Sequence, residues 1–140
     1  MIAKLTVKEI MTTNVFTISA EAPLEDAALI MRAHKVGSVP VVDGNNNLVG
    51  IITETDIFDA LLHALGATGD YKRLTIECED KPCTLGKIGE IFAQHGINIR
   101  SLVVFHPSEG SAQIVIRTES GDLEPLLAEL RRQSFVTLVS

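Results

Sequence analysis

The chain has 140 residues, room for one ordinary domain or two small ones and too few for a large catalytic scaffold. Hydrophobic residues at 46% against 21% charged supply packed cores and exclude a disordered chain. With a net charge of -6, a pI near 5.1, 4% aromatic residues and no Trp, the chain lacks both the basic footprint and the stacking rings of a nucleic-acid binder.

In the first half, Val15 to Ser19 reads as a short strand, and Pro23 stands at a first helical position, where its missing N–H costs nothing. Leu24, Ala27, Ala28 and Met31 follow at the spacing of a core-facing helical stripe. Val39 to Val42 and Leu48 to Thr53 are β-rich runs separated by the turn-forming Asp43-Gly44-Asn45-Asn46-Asn47, and Thr55 to Leu65 predicts a second helix. The order is β-α-β-β-α. Gly66 opens a small-residue stretch that predicts a first module over residues 1–66, a linker over 67–70 and a second module over 71–140. The acidity is uneven: residues 1–70 carry four Lys and Arg against nine Asp and Glu, the rest eight against nine. At about 70 residues each half buries little surface, so docking between halves or between copies is expected.

In the second half, Leu74, Ile76 and Cys78 alternate with polar residues as in a half-buried strand. Leu85, Ile88, Gly89 and Phe92 form a helical stripe, and Gly96 suits the left-handed residue that ends a helix. The runs Ile97 to Phe105 and Ala112 to Thr118 predict strands joined by a turn around Pro107 to Gly110. Leu123, Leu126, Leu127 and Leu130 mark another helix, and Phe135 to Val139 a last strand. That βαββαβ order is ferredoxin-like, so the fold class is α+β.

Two cysteines, Cys78 and Cys83, cannot complete a four-ligand zinc site, and the four histidines show no ligand spacing with them. No charged-start apolar leader precedes the cysteines and no apolar run reaches the roughly 18 residues of a membrane span, which predicts a cytoplasmic protein with no membrane partner. No nucleophile, base and orienter stand together and there is no Gly-rich phosphate loop, so no catalysis and no metal are expected.

The sharpest constellation is Gly50-Ile51-Ile52-Thr53-Glu54-Thr55-Asp56, at a strand end and a helix start. A helix N-terminus favours a phosphate, the Thr53 hydroxyl adds a donor, and Asp56 can accept from a ribose diol. The same two residues also fit a capping box that needs no ligand.

Residues 1–66 resemble a single CBS domain, on Val7 to Met11, Val15-Phe16-Thr17-Ile18, Pro23-Leu24 with Ala27 and Met31, Val36 to Asp43, and the Gly50 to Asp56 motif. The resemblance implies an adenosine-containing ligand held between paired modules. Thr53 would meet phosphate, Asp56 the ribose, and Thr17, Ala22, Val36, Ser38, Val39 and Pro40 would line the adenine or ribose pocket. Family members that grip polyphosphates often carry Arg or Lys beside the motif Asp, where this chain has Thr55, and Gly37 and Ser38 are uncharged too. That favours an AMP-like ligand over ATP unless Lys4, Lys8, Arg32 or Lys35 is brought in. CBS modules work in pairs and no second copy of the motif follows, so a homodimer pairing CBS with CBS in trans is expected.

Residues 71–140 resemble an ACT domain, on Asp80-Lys81-Pro82-Cys83-Thr84-Leu85-Gly86 and His95-Gly96-Ile97-Asn98-Ile99. This implies a small effector such as an amino acid, touching Asp80, Cys83, Leu85, Asn98 and Ile99, with ACT pairing between copies as a further candidate. Cys83 stands where the family usually has a Gly that lets the ligand near the backbone. Cys83 reads as either a redox thiol or a buried packing residue, and Asn98 as either an effector contact or a partner for backbone groups. The whole is similar to the C-terminal part of acetoin-utilisation regulatory proteins. The reading is a non-catalytic sensor with no required cofactor, an adenosine nucleotide as candidate ligand and a regulated protein as candidate partner. The alternative is a ligand-free homodimeric adaptor.

Overall fold

A computed structural model describes residues 5–140. The chain divides into two compact units, Met1–Ala60 and Leu61–Ser140. In chain order the first part holds α1 (Val7–Ile10), β1 (Ile18–Ser19), α2 (Leu24–His34), β2 (Ser38–Val42), β3 (Leu48–Thr53) and α3 (Glu54–Ala64). The second part holds β4 (Tyr71–Glu79), α4 (Thr84–Gln94), β5 (Ile99–Phe105), β6 (Ser111–Glu119), α5 (Glu124–Arg132) and β7 (Val136–Val139). The fold is α+β.

In the first unit β1 runs parallel to β2 and β2 antiparallel to β3, in spatial order β1-β2-β3. The turn between β2 and β3 is held by Asp43: its Oδ1 accepts from the Asn45 and Asn47 N–H groups, both at 2.9 Å, and its Oδ2 from the Asn47 side-chain amide at 3.2 Å. Ala27 and Met31 of α2, Val39 of β2 and Ile57 of α3 form the buried core, with Ile18, Ala28, Ile30, Val36 and Ile52 packed partly against it. This core is small, and large apolar side chains lie outside it. Val49, Ile51 and Phe58 are 57%, 61% and 65% exposed.

Two local readings of this unit change. Pro23 lies outside α2, as its N-cap with ψ 146°, rather than at the first helical position. The expected strand from Val15 shrinks to Ile18–Ser19, paired with Val41–Val42. Pro40 in the central strand has no N–H to offer a neighbour, and the incoming chain before Ile18 stays unpaired.

The second unit is a four-stranded antiparallel sheet ordered β5-β6-β4-β7. Its core joins Leu74, Ile76, Ile114 and Ile116 of the sheet to Ile88, Ile91 and Phe92 of α4 and Leu126, Leu127 and Leu130 of α5. Gly96 adopts φ +64°, as the helix end requires, and the N–H of Ile97 reaches back to the Phe92 carbonyl at 3.0 Å. Strand β5 begins at Ile99, two residues later than expected. The last turn of α3 ends the same way at Gly66, φ +68°, with the Ala67 N–H on the Leu62 carbonyl at 2.8 Å. The Leu65 carbonyl left beyond it accepts from the Ser101 hydroxyl at 2.7 Å and from the Arg117 guanidinium. Leu61 onward thereby joins the second unit, and the division falls inside α3.

Candidate functional site

Thr53 closes β3 and caps α3. Its N–H and hydroxyl both donate to Asp56 Oδ2, at 2.8 and 2.7 Å, and the Asp56 N–H returns a bond to the Thr53 hydroxyl at 3.3 Å. This is the reciprocal capping box. The hydroxyl and then the amide of Thr53 hold the Asp56 carboxyl below the usual carboxylate range. Among the described residues only Oδ2 of Asp56 is bonded, which leaves Oδ1 for a further donor, whereas the Thr53 hydroxyl must turn away from Asp56 to donate to anything else.

A cavity of about 280 Å³ lies in the same unit, lined by Thr12, Asn14, Val15, Phe16, Val36, Ser38 and Pro40. Ser38 connects the two features, because it pairs with Thr53 across β2 and β3, and the Glu54 N–H on the Gly37 carbonyl at 3.0 Å ties the strand entry to the helix start. Among the described residues the lining carries no charge. Phe16 forms an aromatic wall, stacked on His34 with ring centroids 3.6 Å apart.

Of the residues expected in an adenine pocket, Val36, Ser38 and Pro40 line this cavity. Val39 is fully buried in the core and does not line the cavity. Thr17 and Ala22 flank β1 and do not line the cavity; the Ala22 N–H instead closes a turn on the Ser19 carbonyl. Lys4 lies outside the described residues. Lys8, Arg32 and Lys35 do not line the cavity. Thr12, Asn14, Val15 and Phe16 were not singled out from the sequence as lining, since the last two read as strand. Their available signal was Pro40, which predicts a break in pairing opposite them.

In the second unit, two cavities border the turn from β4 to α4. One, of about 350 Å³, is lined by Cys78 through Leu85 with Val104, His106, Ala112 and Ile114, and so brings together Asp80, Cys83 and Leu85. Asp80 Oδ2 stands 3.4 Å from His106 Nε2. The other, of about 490 Å³, opens toward the α5–β7 turn and is lined by Lys81, Thr84, Lys87, Gln133 and Ser134 over Cys78 and Phe135. Lys81 is ion-paired with Glu79.

Asn98 and Ile99 are not part of either cavity. They follow the C-terminus of α4, whereas Cys83 caps its N-terminus, and eleven helical residues separate the two ends by about 16 Å. Within one copy the expected effector residues therefore form two groups. The Asn98 carbonyl accepts from the Thr118 hydroxyl at 2.9 Å, which makes it a backbone anchor. Cys83 is exposed, which removes the packing reading, and it adopts φ +71°, a conformation that favours glycine. Among the described residues no group of three metal-ligating side chains gathers, and no helix is long and apolar enough to cross a membrane.

Residues 7–63 match the CBS domain family and residues 72–135 the ACT domain family. The chain is 43% identical over 54 residues to L-aspartate semialdehyde sulfurtransferase of Methanocaldococcus jannaschii, covering 39% of this chain and 11% of that protein. It is 26% identical over 102 residues to inosine-5'-monophosphate dehydrogenase of Korarchaeum cryptofilum, covering 73% of this chain and 21% of that one. Among solved structures it is similar to CBSX2 in complex with AMP, at 33% identity and TM-score 0.39, covering 41% of this chain and 39% of that one. The chain thus spans only a minor part of these relatives. CBS and ACT domains are regulatory, ligand-sensing modules. The chain carries a CBS domain at 7–63 followed by an ACT domain at 72–135.

Proposed function

We propose that the chain is a non-catalytic cytoplasmic sensor in which two copies pair through their CBS units and hold an AMP-like, adenosine-containing ligand. The observation that carries this reading is the uncharged cavity of Val36, Ser38 and Pro40 beside the Thr53–Asp56 corner. Its aromatic and aliphatic lining suits a purine, and the open Asp56 oxygen suits a ribose hydroxyl. Among the described residues that lining holds no Lys or Arg, which favours a monophosphate or nucleoside over a polyphosphate.

Pairing in trans is supported by the small core and the exposed Val49, Ile51 and Phe58. In the ACT unit a small effector such as an amino acid would meet Asp80, Cys83 and Leu85 of one copy, with Asn98 and Ile99 contributed by its partner. Ligand acts by favouring one arrangement of the dimer over another, through its differential affinity for the two. No cofactor is required.

A second reading, a ligand-free homodimeric adaptor for a partner protein, is favoured by the self-satisfied capping box, since Thr53 and Asp56 need no third group. Isothermal titration of the purified chain with AMP, ADP, ATP, S-adenosylmethionine and a panel of amino acids separates the two. The sensor reading predicts saturable binding with AMP ahead of ATP. Heats of dilution alone for every compound support the adaptor.

A further inference from the structure

The only two cysteines of the chain line the same 350 Å³ cavity. Cys78 ends the inward-facing row of β4, with its S–H directed at the Ala112 carbonyl at 3.7 Å on the cavity floor. Cys83 caps α4 at the cavity mouth and is exposed. The segment between them folds back on itself. The Thr84 hydroxyl bonds the Glu79 carbonyl at 3.4 Å, which brings together the residues that follow the two cysteines, and the Thr84 N–H bonds the Lys81 carbonyl at 3.3 Å within the turn. A disulfide between the two would bring their Cα atoms to about 4.4–6.8 Å apart.

We infer that Cys78 and Cys83 are a reversible dithiol pair that a hydroperoxide converts to an intramolecular disulfide, closing the mouth of this cavity. The order of events follows from exposure and burial. Burial, and then the negative charge of Asp80, push the Cys78 thiol up, which makes the exposed Cys83 the first nucleophile. The Cys83 thiolate attacks one oxygen of the hydroperoxide, the O–O bond breaks, and the leaving hydroxide or alkoxide takes up a proton. The Cys83 sulfenic acid that results is attacked by the Cys78 sulfur. The S–O bond breaks, the S–S bond forms, and hydroxide leaves with the Cys78 proton as water. With hydrogen peroxide the balance is two thiols oxidised by two electrons and one peroxide reduced to two waters. A cellular thiol reverses the step by exchange.

The left-handed backbone at Cys83 fits this assignment, because a position that glycine would fill at lower cost carries a thiol instead. If this cavity is the effector site of the proposed function, oxidation controls access to it. The dithiol chemistry itself does not depend on that reading.

The test treats the reduced full chain, dilute and folded, with hydrogen peroxide and reads intact mass. The expected result is loss of two hydrogens per chain, with fragments cut after Glu79 remaining joined until a reductant is added. Cys78→Ser is expected to stop at a sulfenic acid on Cys83, trapped by dimedone, and Cys83→Ser to leave Cys78 unoxidised over the same time. Oxygen added independently at both cysteines, linkage only between copies, or no change in the unsubstituted chain would each overturn the inference. Because mass is the readout, failure here is distinct from failure of ligand binding. Titration of an effector into the oxidised chain is a separate measurement.

Discussion

Thr53 and Asp56 satisfy each other across the start of α3, with both donors of Thr53 converging on one Asp56 oxygen at 2.7 and 2.8 Å. The pair is a helix cap whether or not a ligand is present. Thr53→Ala removes the hydroxyl that receives the Asp56 N–H, and the expected loss of stability is about 1 kcal/mol. Read beside AMP titration, this variant separates the two roles. A sensor loses affinity at least tenfold at a temperature where the variant is fully folded, whereas an adaptor shows only the lower Tm.

Acid should weaken this corner and the β2–β3 turn together. Asp56 is held below its ordinary value chiefly by the Thr53 hydroxyl, and Asp43 chiefly by the Asn47 amide. Each carboxylate therefore stabilises the fold fully above its unfolded pKa of about 3.9 and loses that contribution as pH falls through the lower folded value. Urea midpoints measured from neutral pH downward should hold steady until about pH 4 and then drop. Asp56→Asn should show a shallower drop over the same window.

Cys83 sits at φ +71°, where a side chain with a Cβ is strained. Cys83→Gly relieves that strain and adds some unfolded-state entropy, for a net expected gain of about 0.5–1 kcal/mol. Differential scanning calorimetry checks this. A lower Tm would mean that the thiol makes a packing contribution its exposure does not suggest.

Val39 is fully buried in a core of four side chains. Val39→Ala leaves a hole that few neighbours can fill, at an expected cost of about 2 kcal/mol. Amide exchange should speed up most in residues 5–60, because Ala27, Met31 and Ile57 share that core.

The elements were legible wherever periodicity met burial. Ala27 and Met31 are buried as the α2 stripe requires, and Leu74, Ile76, Ile114 and Ile116 are buried as the alternation of their strands requires, although Thr75 and Val115 on the opposite face are buried too. Leu24 and Leu85 belong to helical stripes by spacing, yet are 36% and 49% exposed. Each stands in the first turn of its helix, and Leu85 lines a cavity there instead of packing in the core. The cavity wall of Val15 and Phe16 was illegible for a different reason. Their β propensity is real, but a strand needs a partner with donors to offer, and pairing begins only at Ile18 with Val41 beyond Pro40. The separation of Asn98 from Cys83 was hidden because adjacency of motif residues in a βαββαβ unit depends on which end of a helix they occupy.

The proposed function rests on two copies pairing through their CBS units to hold an AMP-like ligand. Sedimentation equilibrium over a dilution series, with and without AMP, tests it most directly. The account predicts a monomer–dimer equilibrium that AMP shifts toward dimer, with one AMP bound per chain at saturation. A monomer at every concentration, unmoved by AMP, would contradict it.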